Sequence, residues 1–243
     1  MKRYLIVLIL ITFLGCSTTP TKPQAQAHFQ LGDSYLREGR YSLALRELLL
    51  AVKEDSHNPV IHMELGLGYM GRGDLERAER ELKKAIALKK DYAEAYNNLG
   101  LLYLREKKWQ AAEDCFKKAI SILSYTTPEI AYTNLGSCYF LQKKYKEAEQ
   151  AFKKAISLNF LYVPAYIGLG ELWERLKRYE NALEVYQTAI MHLPKEPLLH
   201  YRLGMIYFRL GEREKAKEEF KKVTQLDKGN LSQAAKQMLE AIE

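Results

Sequence analysis

Apolar residues return along most of this chain at the three-and-four spacing that gathers them on one face of a helix. Short polar turns such as Glu38-Gly39-Arg40 and Gly73-Asp74 interrupt the pattern at regular intervals. The segments between turns run to about twelve to fourteen residues, too short for a helix to stand alone in water. Each must therefore bury its apolar face against a neighbour. The segments also repeat in pairs. Leu-Gly recurs at Leu31-Gly32, Leu65-Gly66, Leu99-Gly100, Leu135-Gly136, Leu169-Gly170 and Leu203-Gly204, with glycines 34 residues apart except at the third step, which is 36. Three residues after each glycine stands an aromatic: Tyr35, Tyr69, Tyr103, Tyr139, Trp173 and Tyr207. Twelve after it stands an alanine (Ala44, Ala78, Ala112, Ala148, Ala182, Ala216), and four later a large apolar residue (Leu48, Leu82, Phe116, Phe152, Tyr186, Phe220).

Small residues such as Gly32 and Ala44 let two helices of a pair approach closely, and the aromatics fill the space between pairs. Stacking then buries a continuous core, and the last pair needs a cover with a polar outer face. Residues 231–243 supply one, with Leu231, Ala235, Met238 and Leu239 turned inward. In period and signature positions the chain resembles the tetratricopeptide repeat family. The resemblance implies an all-α, right-handed superhelical solenoid of six helix-turn-helix hairpins, 25–58, 59–92, 93–128, 129–162, 163–196 and 197–230, followed by a capping helix over 231–243.

The first residues follow a different rule. Lys2 and Arg3 precede an apolar run from Tyr4 to Leu14, broken only by Thr12. Eleven helical residues reach roughly 16 Å, short of the ~30 Å hydrocarbon core, so the run suits an export signal better than a permanent span. Phe13-Leu14-Gly15-Cys16 resembles a bacterial lipobox, although Phe13 stands where that pattern has leucine. The resemblance implies cleavage after residue 15 and acylation of Cys16, whose several chains anchor stably where one would not. Ser17 in the next place implies sorting to the outer membrane, facing the periplasm. Residues 16–27 lack apolar periodicity, hold Pro20 and Pro23, and are expected to form a flexible tether.

Composition narrows the function. An apolar fraction of 47% fits a folded chain. The net charge of +7, or +5 without Lys2 and Arg3, suits anionic lipid or an acidic partner, with no basic-aromatic run of the kind that binds nucleic acid. Gly66-Leu67-Gly68-Tyr69-Met70-Gly71 matches a dinucleotide fingerprint by letter, but that fingerprint needs a preceding strand. His28, His62 and His200 occupy one repeat position, filled elsewhere by Tyr96, Tyr132 and Tyr166, and so are expected to pack separately rather than share a metal. No catalytic constellation, cofactor or small-molecule substrate is expected. Cys115 and Cys138 fall on neighbouring helices, leaving a disulfide and two free thiols both open.

What remains is protein binding. Lysine pairs recur on second helices at Lys83-Lys84, Lys117-Lys118, Lys153-Lys154 and Lys221-Lys222, as a solvated face or a contact for anionic lipid. The first hairpin carries Leu49 and Leu50 there instead, which either pack near Gln26 or mark a partner surface. By resemblance to the family, the concave groove is lined by first-helix residues, here Met63, Leu67, Met70, Asn97, Leu101, Leu104, Thr133, Ser137 and Phe140. An amphipathic helix or apolar peptide suits such a groove, and the lysines of a carboxylate clamp are missing from it.

A six-repeat lipoprotein of this length, with a longer junction at Ser124-Tyr125-Thr126-Thr127-Pro128-Glu129, resembles the pilotins of type IV pilus biogenesis. That resemblance implies a protein that binds outer-membrane secretin subunits and aids their insertion and oligomerisation. A general adaptor for cell-wall hydrolases or outer-membrane assembly is the alternative, because function lies in the presented surface rather than the fold.

Overall fold

The computed structural model describes residues 22–242. Among these residues there are thirteen helices and no strand. The chain divides into two compact units at Leu88/Lys89. The first holds α1 (Pro23–Arg37), α2 (Tyr41–Glu54), α3 (Pro59–Arg72) and α4 (Leu75–Leu88). The second holds α5 (Ala93–Arg105), α6 (Trp109–Ile120), α7 (Pro128–Leu141), α8 (Tyr145–Leu158) and α9 (Val163–Arg175). It continues with α10 (Tyr179–His192), α11 (Pro197–Arg209), α12 (Arg213–Leu226) and α13 (Asn230–Ile242). Odd-numbered helices from α1 to α11 pack on the even ones that follow them, making six hairpins, and α13 covers α12 and α11. The all-α run of consecutive hairpins expected from the 34-residue period is the fold adopted.

The period works because its positions meet inside one hairpin. The six signature alanines are fully buried. A Cβ placed on Gly136 would stand 2.8 Å from the ring of Phe152, sixteen residues on, and the same clash recurs between each signature glycine and its large partner. Only a bare glycine lets the second helix bring that side chain so close. In the second unit the resulting core is continuous from Ala148 to Ile242, with Leu231, Met238 and Leu239 of α13 packed against it.

Each hairpin turn is closed in one way. A residue one or two places after the first helix is left-handed: Gly39, Gly73, Lys107, Lys143, Lys177 and Gly211. Its N–H and the next one return to the helix three and five residues back, as in Lys143 N–H to Phe140 O (2.9 Å) and Lys144 N–H to Tyr139 O (2.9 Å). These two bonds satisfy carbonyls the helix end would otherwise leave bare. The following cation then lies over the signature aromatic, Arg40 on Tyr35, Lys108 on Tyr103, Lys144 on Tyr139 and Arg178 on Trp173. In the two hairpins where that place is acidic, at Asp74 and Glu212, a cation three residues later takes the ring: Arg77 on Tyr69 and Lys215 on Tyr207.

One expectation is corrected. Residues 23–27, given to the tether although 25–27 also open the first expected hairpin, are helical, and Ala25 is fully buried. Pro23 opens α1 at its first turn, where a missing N–H is harmless and the fixed φ favours the helix. The signal, Cys16 and the tether up to residue 21 lie outside the described residues.

Candidate partner-binding surfaces

The first-helix residues expected to line a groove divide into packed and presentable sets. In the first unit Met63 is buried, whereas Leu67 and Met70 are half-buried. That face is also not purely apolar. Glu64 lies there with Asp33 and Arg37 of α1; burial, then the Asp33 carboxylate, pushes its pKa up to about 7 against the opposing pull of Arg37. In the second unit Asn97 is buried, and its Oδ1 accepts a hydrogen bond from Asn134 Nδ2 at 2.9 Å. The hydroxyls of Thr133 and Ser137 donate to the backbone of their own helix, at Glu129 O (2.8 Å) and Thr133 O (3.1 Å). Leu101, Leu104 and Phe140 are half-buried, with Phe140 tilted against Tyr145 at 6.2 Å. Met63 and Asn97 therefore present little surface of their own, and Asn97 is tied to α7 through Asn134.

Leu49 and Leu50 differ. They are 47% and 40% exposed on α2, beside the fully buried Leu48. Both therefore keep a large part of their apolar surface exposed among the described residues. The equivalent lysines are exposed, and Lys83, Lys117 and Lys153 each pair with a glutamate one turn back (2.7, 2.7 and 2.6 Å), as expected of a solvated face.

The histidines carry a pairing that position alone does not reveal. His28, His62 and His200 each place Nδ1 against a carboxylate nineteen residues on, Glu47 (2.8 Å), Glu81 (2.6 Å) and Glu219 (2.6 Å). In the tyrosine hairpins that place holds Cys115, Ala151 or Val185, so the two positions change together and the signal was present in the sequence. His62 and His200 also direct Nε2 at a carbonyl, Ser56 O (3.0 Å) and Pro194 O (2.9 Å). Hydrogen bonding to Glu219 holds His200 above the usual histidine range. Burial would raise Glu219, but His200 and Lys222 hold it below the usual carboxylate range.

Cys115 and Cys138 are not joined by a disulfide; Cys138 lies within the core and donates to Trp109 O at 3.5 Å. The glycine fingerprint lies wholly inside α3, where Gly68 admits Leu45 and Gly71 admits the Tyr41 ring from α2. Among the described residues no helix is long and apolar enough to cross a membrane, and no cluster of ligating side chains could hold a metal ion.

Family models described as tetratricopeptide repeat or TPR repeat match residues 21–59, 68–107, 91–159, 163–191 and 197–230. The chain is a tetratricopeptide repeat protein. Solved structures agree on the fold of this tetratricopeptide repeat protein. PilF of Pseudomonas aeruginosa is similar over 90% of this chain and 98% of its own, with a TM-score of 0.69 and 21% identity. PilW, described as a widely conserved type IV pilus biogenesis factor, is similar over 84% of this chain and 94% of its own, with a TM-score of 0.71 and 22% identity. MamA is similar over 69% of this chain and 91% of its own, at 28% identity and a TM-score of 0.56. A search of curated sequences returned no match.

Proposed function

We propose that this protein is a lipid-anchored scaffold that binds a protein client, and that the client is an outer-membrane secretin assembled with its help in type IV pilus biogenesis. The observation that carries protein binding is the exposed Leu49–Leu50 pair on α2, an apolar step where four of the other second helices carry lysines. Adjacent aliphatic residues left exposed among the described residues form the kind of surface a partner buries. The pilus assignment is supported by the likeness to PilF and PilW along nearly their whole lengths. In this reading Cys16 carries the acyl chains, which hold the scaffold at the outer membrane and raise its effective concentration near the client. No step in it requires a reacting side chain.

A photocrosslinking residue at position 50, activated in intact cells, should capture a secretin subunit. A strain lacking the protein should lose the assembled secretin multimer. Leu49→Glu with Leu50→Glu should abolish the crosslink and leave circular dichroism helical. A normal secretin multimer in the deletion strain would sink the pilotin reading, and capture of a different periplasmic protein would reassign the scaffold to that client.

A further inference from the structure

One edge of the second unit is unused by this reading. There α6 and α8 end, and the loops that follow, 121–127 and 159–162, contain no charged residue. The later inter-hairpin connections are different: they carry Lys195 and Glu196, then Asp227 and Lys228. In the longer first loop, Ile122 and Tyr125 fold back against Ala93, Ala119 and Ala131. Leu123 between them is left with 104% of its reference surface exposed. Phe160 and Leu161 in the second loop are 55% and 51% exposed, and Met191 at the end of α10 is 74% exposed.

Two contacts place these residues together. Asn159 Nδ2 donates to Glu129 Oε1 (3.0 Å), tying the second loop to the start of α7, just beyond the first loop. The Phe160 ring lies 5.2 Å from that of His192, the neighbour of Met191. The result is a set of apolar tips rather than a groove, since Leu123 touches no wall. Exposed cations flank the tips. Lys118 and Lys154, near the ends of α6 and α8, and Lys195 in the next connection have no ion pair among the described residues. Two adjacent carboxylates are already committed, Glu129 to Asn159 and Glu196 to the N–H of Leu198, while Glu94 near Tyr125 is exposed.

We propose that this edge is a lipid-contact surface, with Leu123, Phe160, Leu161 and Met191 entering the acyl boundary of an anionic membrane. Lys118, Lys154 and Lys195 meet its phosphates. Uncharged protruding tips ringed by free lysines complement an anionic lipid surface, which takes apolar groups at the headgroup boundary and attracts cations above it. A protein partner would instead need pockets shaped for each tip. The proposal requires neither acylation of Cys16 nor a secretin, so it can fail while the scaffold reading stands, and the reverse.

The test uses the full chain carrying Leu123→Trp, mixed with phosphatidylglycerol-rich vesicles whose acyl chains are brominated. The difference in emission from the unsubstituted chain isolates the reporter. The expected result is a blue shift with quenching at position 123, weakened by 0.5 M KCl and absent with vesicles of pure phosphatidylcholine. Adding Phe160→Asp and Leu161→Asp should lower vesicle affinity at least about tenfold. Chain that binds vesicles with no quenching at position 123 has this edge turned away from lipid, which overturns the proposal. A blue shift that grows with protein concentration in the absence of lipid assigns the edge to a second copy and overturns it too. Should the aspartate variant not fold, as read by circular dichroism, quenching of the single variant decides alone.

Discussion

Substituting Glu219→Ala tests the buried pair that joins α11 to α12. The His200 and Glu219 side chains are 3% and 10% exposed, so water screens their 2.6 Å contact little. Both His200 nitrogens face acceptors, Glu219 Oε2 and Pro194 O, and only the doubly protonated ring donates to both. A hydrogen bond between charged groups contributes about 1.5–3 kcal/mol. The substitution should therefore lower stability at pH 5.5 by about 2 kcal/mol, or roughly 4–8 °C in Tm for a chain of this size. The effect depends on pH from both sides. His200 is raised above its ordinary 6.5, so its contribution is complete below that value and disappears as pH rises through the folded-state pKa. Glu219 is lowered below its ordinary 4.5, so its contribution is complete above that value and disappears as pH falls through the folded-state pKa. The difference between parent and variant should thus be largest between pH 4.5 and 6.5 and shrink towards pH 9. His200→Tyr combined with Glu219→Ala rebuilds the tyrosine–alanine arrangement of Tyr132 and Ala151, and should recover most of the loss. Thermal denaturation followed by circular dichroism at pH 5.5 and 9 measures all three proteins. Equal losses at both pH values, or a double variant no better than the single, would refute an ionic pair as the cause.

Two further substitutions probe the first unit and the glycine rule. Glu64 has a pKa raised to about 7, so the folded state binds its proton more tightly than the unfolded chain, and stability falls as pH rises from 4.5 through 7. Glu64→Gln should remove that slope and raise stability at pH 8 by about 1–2 kcal/mol; a melting curve at pH 8 no higher than the parent's would contradict it. Gly136→Ala sets a methyl group against the Phe152 ring and should destabilise by about 1–3 kcal/mol in urea denaturation, with an unchanged midpoint counting against close packing there.

The fold was legible because each signature residue answers another inside the same hairpin, Gly136 to Phe152 or Tyr139 to Lys144, and a 34-residue period displays such pairs directly. The start of α1 was less legible. Pro23 reads equally as a linker residue and as the opening of a helix, and what decides is burial of Ala25, a tertiary fact. The His–Glu pairs were visible in principle. Reading the histidine position alone against its tyrosine counterparts hid the partner nineteen residues away, and only comparing both positions exposes the exchange. Burial of Met63 and Asn97 was not legible either: family position names the face of the helix, while tertiary packing sets how much of each side chain is exposed. The apolar edge around Leu123 and Phe160 went unread because a loop's length says nothing of which of its side chains turn back to the core.

Every device that closes a hairpin is supplied within that hairpin: the left-handed residue, the two returning N–H groups, the cation over the ring and, in three cases, the histidine–carboxylate pair. No partner in that set is more than about twenty residues away along the chain. Such closeness has a kinetic consequence. A chain emerging progressively, from the ribosome or from a translocation channel, can close each hairpin as soon as its own residues are free, and late segments need not arrive before early ones order. Loop-closure entropy is then met in small steps. Folding from the first hairpin onward would present Leu49 and Leu50 on a formed α2 while later hairpins are still being delivered.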